Sequence, residues 1–141
     1  MIQESTGALT LTVDKWNVSE EKGYKSVEYA GRGLSIPDDP TEPPASGSYV
    51  GTYNYNPDGS WTGKGTGTET FEGGDTTNYT WKEDSRQNEN TYTYTGGTGK
   101  YKGVSGGGTY SLYKGVSRGG AYTYRPGPLQ SCQYTDKINM P

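Results

Sequence analysis

The chain has 141 residues, among them 23 glycines and 14 tyrosines, with 13 bases against 16 acids and no histidine. That length makes one domain with a single modest core. The lack of histidine removes Ser-His-Asp triads, imidazole bases and imidazole metal sites, and the lone Cys132 removes zinc ribbons, redox pairs and intrachain disulfides.

Mean hydropathy is −0.99, and low aliphatic content often means disorder. Three tryptophans and 14 tyrosines argue against disorder here. Threonine and tyrosine favour strands, and glycine and proline punctuate them, so the chain reads as all-β. Charge is uneven: residues 1–89 hold 15 acids and 7 bases, whereas residues 90–141 hold 6 bases and one acid, Asp136. This basic stretch is a solvated face of folded strands or an anion-binding surface. With a pI near 4.9 and no dense Lys/Arg run, nucleic acid is not an expected partner. No apolar run reaches membrane-spanning length. Met1-Ile2-Gln3-Glu4 does not read as a signal peptide, although a start Met fused to a mature sequence would look the same. The wealth of Gly, Tyr, Thr and Asn tilts the reading towards an extracytoplasmic protein.

In chain order, Gly7 to Trp16 alternates as a half-buried strand. Leu9, Leu11 and Val13 share one face; Asp14 and Trp16 share the other. Asn17 to Gly23 reads as a turn and Tyr24 to Ala30 as a second strand. Residues 37–47, PDDPTEPPASG, carry four prolines and exclude a regular ladder, so they form a loop or lid. Asp38, Asp39 and Glu42 offer oxygen ligands, but their spacing is not that of an EF-hand, and no metal is assigned. Ser48 to Asn56 is a strand with Tyr49, Tyr53 and Tyr55 on one face. Asn56-Pro57-Asp58-Gly59 is a turn. Trp61 to Phe71 is a strand whose odd positions are Trp61, Gly63, Gly65, Gly67, Glu69 and Phe71. Its glycine stripe permits sharp coiling, or close approach of a ligand or of backbone. Thr76 to Lys82 gives a strand with Tyr79 and Trp81, and Thr91 to Thr95 one with Tyr92 and Tyr94. Arg125-Pro126-Gly127-Pro128 stops the chain, and residues 126–141 form a tail or a short last strand at Gln133-Tyr134-Thr135.

Residues 101–110, YKGVSGGGTY, recur as YKGVSRGGAY at 113–122. A 12-residue period suits one strand and one turn, so the two copies are expected as successive strand-and-turn units. The run Gly96-Gly97-Thr98-Gly99-Lys100-Tyr101-Lys102-Gly103-Val104-Ser105-Gly106 has the pattern GG(S/T)GxΦxGΦxG, with Φ aromatic or apolar. It resembles the segment joining two late strands in the allene oxide cyclases, and dirigent proteins carry a similar element. Asn90-Thr91-Tyr92 extends the likeness to the cyclases. The resemblance covers about 15 residues and implies a small antiparallel barrel of about eight strands spanning residues 1–141. The cyclases use a carboxylate on the first strand, for which Asp14 stands by position. Their Asn and Cys positions have no counterpart here, and Cys132 lies at the opposite end of the chain.

The absence of a P-loop and of a strand-to-helix Gly-rich turn leaves phosphoryl transfer and dinucleotide chemistry unsupported, and no cofactor is expected. Carboxylates, phenols and aromatic rings remain. Asp14 and Glu69 are the catalytic candidates. Glu69 would act as an acid or base if its face lines the barrel and burial raises its pKa; otherwise it is a solvated outer residue. Trp16, Tyr53, Tyr55, Trp61, Tyr79, Trp81, Tyr92 and Tyr94 either bind a ligand or form core and cross-strand pairs. The functional expectation is a cavity for a small apolar or aromatic molecule, with cofactor-free cyclisation, isomerisation or stereocontrol as its chemistry. The alternative is a secreted, non-catalytic module that binds glycans or serves structure, and a homo-oligomer is compatible with either.

Overall fold

The computed structural model describes residues 1–87, 89–112 and 127–141. Among them run eight strands: β1 (Ile2–Glu21), β2 (Tyr24–Pro37), β3 (Ala45–Tyr55), β4 (Trp61–Phe71), β5 (Thr76–Asp84), β6 (Asn90–Gly97), β7 (Ser105–Leu112) and β8 (Gly127–Asn139). Each pairs antiparallel with the next, and β8 pairs back onto β1, so the sheet closes into a barrel. Closure gives every described strand a partner on each side, which reduces the exposed edge that could recruit other chains.

Several strands outrun their sequence signal. β1 has 20 residues rather than the ten of Gly7 to Trp16. It turns into β2 through Lys22 and Gly23 alone, both at positive φ (53° and 84°), the two-residue geometry that suits strand twist. β2 continues to Pro37 and β3 begins at Ala45, so the proline-rich connection is only residues 38–44. β8 has 13 residues where a short strand or tail was expected. The cause is common to all of these. Outer positions are Thr, Ser, Lys and Glu, and many inner positions are Gly or Ser, so hydropathy hardly alternates along strands that are nonetheless paired throughout.

The two-residue periodicity breaks once in β1. Val13 pairs with Gly31 but Lys15 with Ala30, so Asp14 is an extra residue in a bulge. Leu9, Leu11 and Val13 face inwards before it, and Trp16 packs against the same core after it. Trp16 is therefore not on the Asp14 face, as simple alternation predicts, because the bulge shifts the phase by one.

The interior is aromatic. Val13, Val27, Tyr29, Tyr49, Tyr53, Tyr55, Trp61, Trp81 and Tyr110 form the main buried cluster, and Tyr101, Val104 and Ile138 form a second. The glycine stripe of β4 makes room for these rings. A methyl group on Gly65 would stand 2.4 Å from the Trp81 ring, and one on Gly67 would stand 2.3 Å from Tyr79. Neighbouring side chains, together with the Val50 carbonyl beside Gly65, are what approaches β4 so closely.

The Gly96–Gly106 segment joins β6 to β7 through one 3-10 turn, Gly99–Tyr101. Gly99, Gly103 and Gly106 all have positive φ (59°, 76° and 102°), which side chains other than glycine's adopt at a cost. The first copy of the duplicated decapeptide thus supplies this turn and most of β7. The second copy, Tyr113–Tyr122, lies outside the described residues.

Alternating strand direction sorts the connections into two ends. Residues 38–44, 72–75 and 98–104 lie at one end, with the start of β1 and the finish of β8. Turns 22–23 and 56–60, with residues 85–87 and 89, lie at the other.

Candidate functional site

A cavity of about 390 Å³ runs into the barrel from the end that carries residues 38–44. Asp39, Glu42, Pro43 and Lys100 border its mouth, and Tyr29, Tyr53, Trp81, Glu83 and Tyr110 line its depth. Strand alternation puts three carboxylates on this inner surface: Glu69 from β4, Glu83 from β5 and Asp136 from β8.

Each carboxylate is met by hydroxyls. Tyr53 and Tyr110 donate to Glu83 at 3.0 and 2.6 Å. Tyr92 and Tyr94 both donate to Asp136 Oδ1, at 2.5 and 2.8 Å. Ser35 donates to Glu69 Oε2 at 3.0 Å. Tyr49 donates to the Thr12 carbonyl at 2.6 Å. Such bonds are required here, because an unpaired buried polar group costs about 1–3 kcal/mol.

Burial dominates the electrostatics. It pushes the Glu69 carboxyl above its ordinary value, opposed by the hydrogen bond from Ser35 and reinforced by the charge of Asp136. It likewise raises Asp136, against the two tyrosine hydrogen bonds that favour the ionised form. The phenols of Tyr92 and Tyr94 are raised by burial first and by neighbouring charge second, so they stay protonated and remain donors. Two carboxyls inclined to hold a proton therefore lie in one cavity with un-ionised phenols, an arrangement able to give or take a proton without metal or imidazole.

The raised carboxyls set a pH dependence of stability. The unfolded chain releases these protons near pH 4, whereas the folded chain holds them to higher pH. Between the two values the native state binds more protons, so stability falls as pH rises through that window. Asp14, Asp39, Asp58 and Asp84 have lowered values and act oppositely, gaining stability as pH rises from below that point; lying at the surface, three of them exposed and Asp84 half-buried, they contribute weakly. Denaturant unfolding between pH 4 and pH 8 is expected to show greatest stability in mild acid. The double variant Glu69→Gln with Asp136→Asn should flatten the decline above that maximum. An unchanged slope in that variant would show that other groups set it.

Of the residues singled out from sequence, Glu69 faces inwards and lines the cavity, as do Tyr53, Tyr79, Trp81, Tyr92 and Tyr94. Asp14 does not. It sits on the outer surface in a two-point pair with Arg32, at 2.9 and 3.0 Å, and the guanidinium holds its carboxyl below the usual range. The carboxylate that the cyclase likeness placed on the first strand is thus absent from the interior. Trp16, Tyr55 and Trp61 are interior but belong to the packed cluster rather than to the cavity wall. Asp39 in the mouth loop is capped locally by the Thr41 amide and hydroxyl.

Sequence reasoning passed over Glu83, Asp136, Tyr29, Tyr49, Tyr110 and Tyr134. A signal existed for two of them. Glu83 continues the alternation Tyr79, Trp81, Glu83, and Asp136 is the only acid after Glu89 and follows Tyr134 by two positions.

No protein-family model matches the chain, and no curated protein does either. Solved structures do. One pterocarpan synthase dirigent protein superposes with a TM-score of 0.61 at 13% identity, covering 98% of this chain and 87% of its own. A second superposes with a TM-score of 0.61 at 12% identity, covering 99% and 96%. At such identity the likeness is one of fold: the chain has the allene oxide cyclase and dirigent barrel that the GGTGKYKGVSG segment resembles.

Proposed function

We propose that this barrel of dirigent fold binds a small, mostly aromatic molecule in its cavity and directs a cyclisation, isomerisation or stereochemical outcome there. The supporting observation is the cavity wall: aromatic rings around Glu69 and Asp136, two carboxyls that burial biases towards the protonated form. Rings shape the guest and limit its conformers, which is itself a large part of the barrier in such reactions. Glu69 and Asp136 then act as proton donor and acceptor, and side chains supply all of this chemistry. The two structural neighbours are named for synthesis of a pterocarpan, which fits a barrel of this kind acting on a small molecule.

The glycan-binding alternative needs aromatic side chains on the surface. Every Tyr and Trp put forward for it is interior, and Tyr24 is the large exposed aromatic among the described residues. Calorimetric titration with naphthylethanol and with an oligosaccharide separates the readings. Saturable binding of naphthylethanol is expected, with a Kd on the order of 0.1 mM for so small a guest, and none of the sugar. Binding of the sugar alone would overturn the cavity reading.

A further inference from the structure

We propose that the cavity selects an organic cation, a protonated amine carried on an aromatic body, with Asp136 and Glu69 as its anchor. This rests on the cavity being a ligand site, as above, and assigns the charge class of the guest.

The first observation is the sign of the lining. Glu69, Glu83 and Asp136 lie inside, and Asp39 and Glu42 stand at the mouth. Lys100 is the one base among the described lining residues. It is exposed at the mouth, with its ammonium 5.1 Å from the centre of the Tyr101 ring. A guest carboxylate would enter a low-dielectric space that, among the described residues, holds three acids and no interior base, so those residues would leave it uncompensated.

The second observation is the direction of the protons. Tyr53 and Tyr110 spend theirs on Glu83, Tyr92 and Tyr94 on Asp136, Ser35 on Glu69 and Tyr49 on the Thr12 carbonyl. Six hydroxyl donors are thereby committed to the wall. In the ionised form of Glu69 and Asp136, which a cationic guest itself favours, what these donors leave for that guest is acceptor oxygen. Asp136 is only 7% exposed, both phenols reach its Oδ1, and its Oδ2 accepts no hydrogen bond from the described residues. An ammonium group brings three donors and no acceptor, the complement of this surface.

The third observation is the ring content of the wall. The negative faces of tyrosine and tryptophan attract a cation, by about 0.5–2 kcal/mol per well-placed ring. Carboxylates, committed donors and rings therefore favour one sign of charge.

The test uses three guests with one bicyclic body, naphthylethylamine, naphthylethanol and naphthylacetate, titrated by calorimetry into the full chain at pH 8. The amine should bind at least tenfold more tightly than the alcohol, and the acetate should not bind detectably. Asp136→Asn keeps an oxygen for Tyr92 and Tyr94 while removing the charge, and Glu69→Gln does the same beside Ser35. Each variant should lower the amine's affinity at least fivefold more than it lowers the alcohol's. Two variants guard against one failing to fold, which circular dichroism reports. Equal binding of amine and alcohol, tighter binding of the acetate, or an amine preference untouched by both variants would overturn the charge assignment while leaving the cavity reading intact. If none of the three binds, both fall.

Discussion

Gly106→Val is expected to be the most damaging single change near the cavity, while Lys102→Ala four residues earlier should leave stability unchanged. Gly106 has φ of 102°, and a Cβ there would stand 2.1 Å from the Lys137 carbonyl of the paired strand β8. A β-branched residue cannot adopt that backbone conformation without strain, and a backbone oxygen cannot swing aside as a side chain can. Backbone strain and steric overlap together cost about 2–6 kcal/mol. Domains of this size are stable by about 5–15 kcal/mol, so the variant should unfold at a far lower denaturant concentration or fail to accumulate. Lys102 is exposed at the turn. Guanidinium unfolding of the two variants beside the parent decides the matter. A Lys102→Ala shift as large as that of Gly106→Val would mean that charge, and not turn geometry, organises this segment.

That segment also shows what was legible in the sequence. Three glycines at fixed spacing needed positive φ, and that requirement is local, so the pattern revealed the turn and through it the fold. The turn signal at Asn56-Pro57-Asp58-Gly59 placed the start of β4 correctly for the same reason. The site was harder to read. Its acids come from β4, β5 and β8, which meet only once the barrel closes. Glu69 carries no local mark of facing inwards, because Gly63, Gly65 and Gly67 before it give no hydropathy signal on either side. Trp16 was misplaced because a single extra residue in β1 changes which parity faces inwards, and nothing in GALTLTVDKW declares a bulge; Asp14 entered only by its position in the cyclase likeness, and alternation already set it opposite Leu9, Leu11 and Val13. Asp136 was passed over because the short last strand expected at Gln133-Tyr134-Thr135 stops one residue before it, whereas β8 runs on to Asn139.

Trp81→Ala carries the second large effect, expected at about 3–5 kcal/mol for loss of a buried indole. Trp81 is 6% exposed, and its ring lies over Gly51 and Gly65 of the facing strands while touching Tyr29 and Tyr53. The glycines exist to seat it, so the cost should be shared between the partners. A Cβ on Gly51 would come within 2.2 Å of the indole. Gly51→Ala should therefore be strongly destabilising in the parent and markedly less so once Trp81 is alanine, a coupling that a double-mutant cycle measured by urea unfolding reads directly. Strict additivity would show that the indole and the glycine do not depend on one another.

The same packing has an optical result. Tyr53 has Trp16, Trp61 and Trp81 around it, with ring centres 6.2, 5.1 and 6.3 Å away. All three indoles thus lie well within the range over which excitation hops between aromatic rings faster than it is emitted. They form one collective emitter, and tyrosines in the same cluster pass their excitation to it. Replacing one tryptophan by phenylalanine should not subtract a third of the signal. A quenching guest beside Trp81, the indole on the cavity wall, should dim all three together.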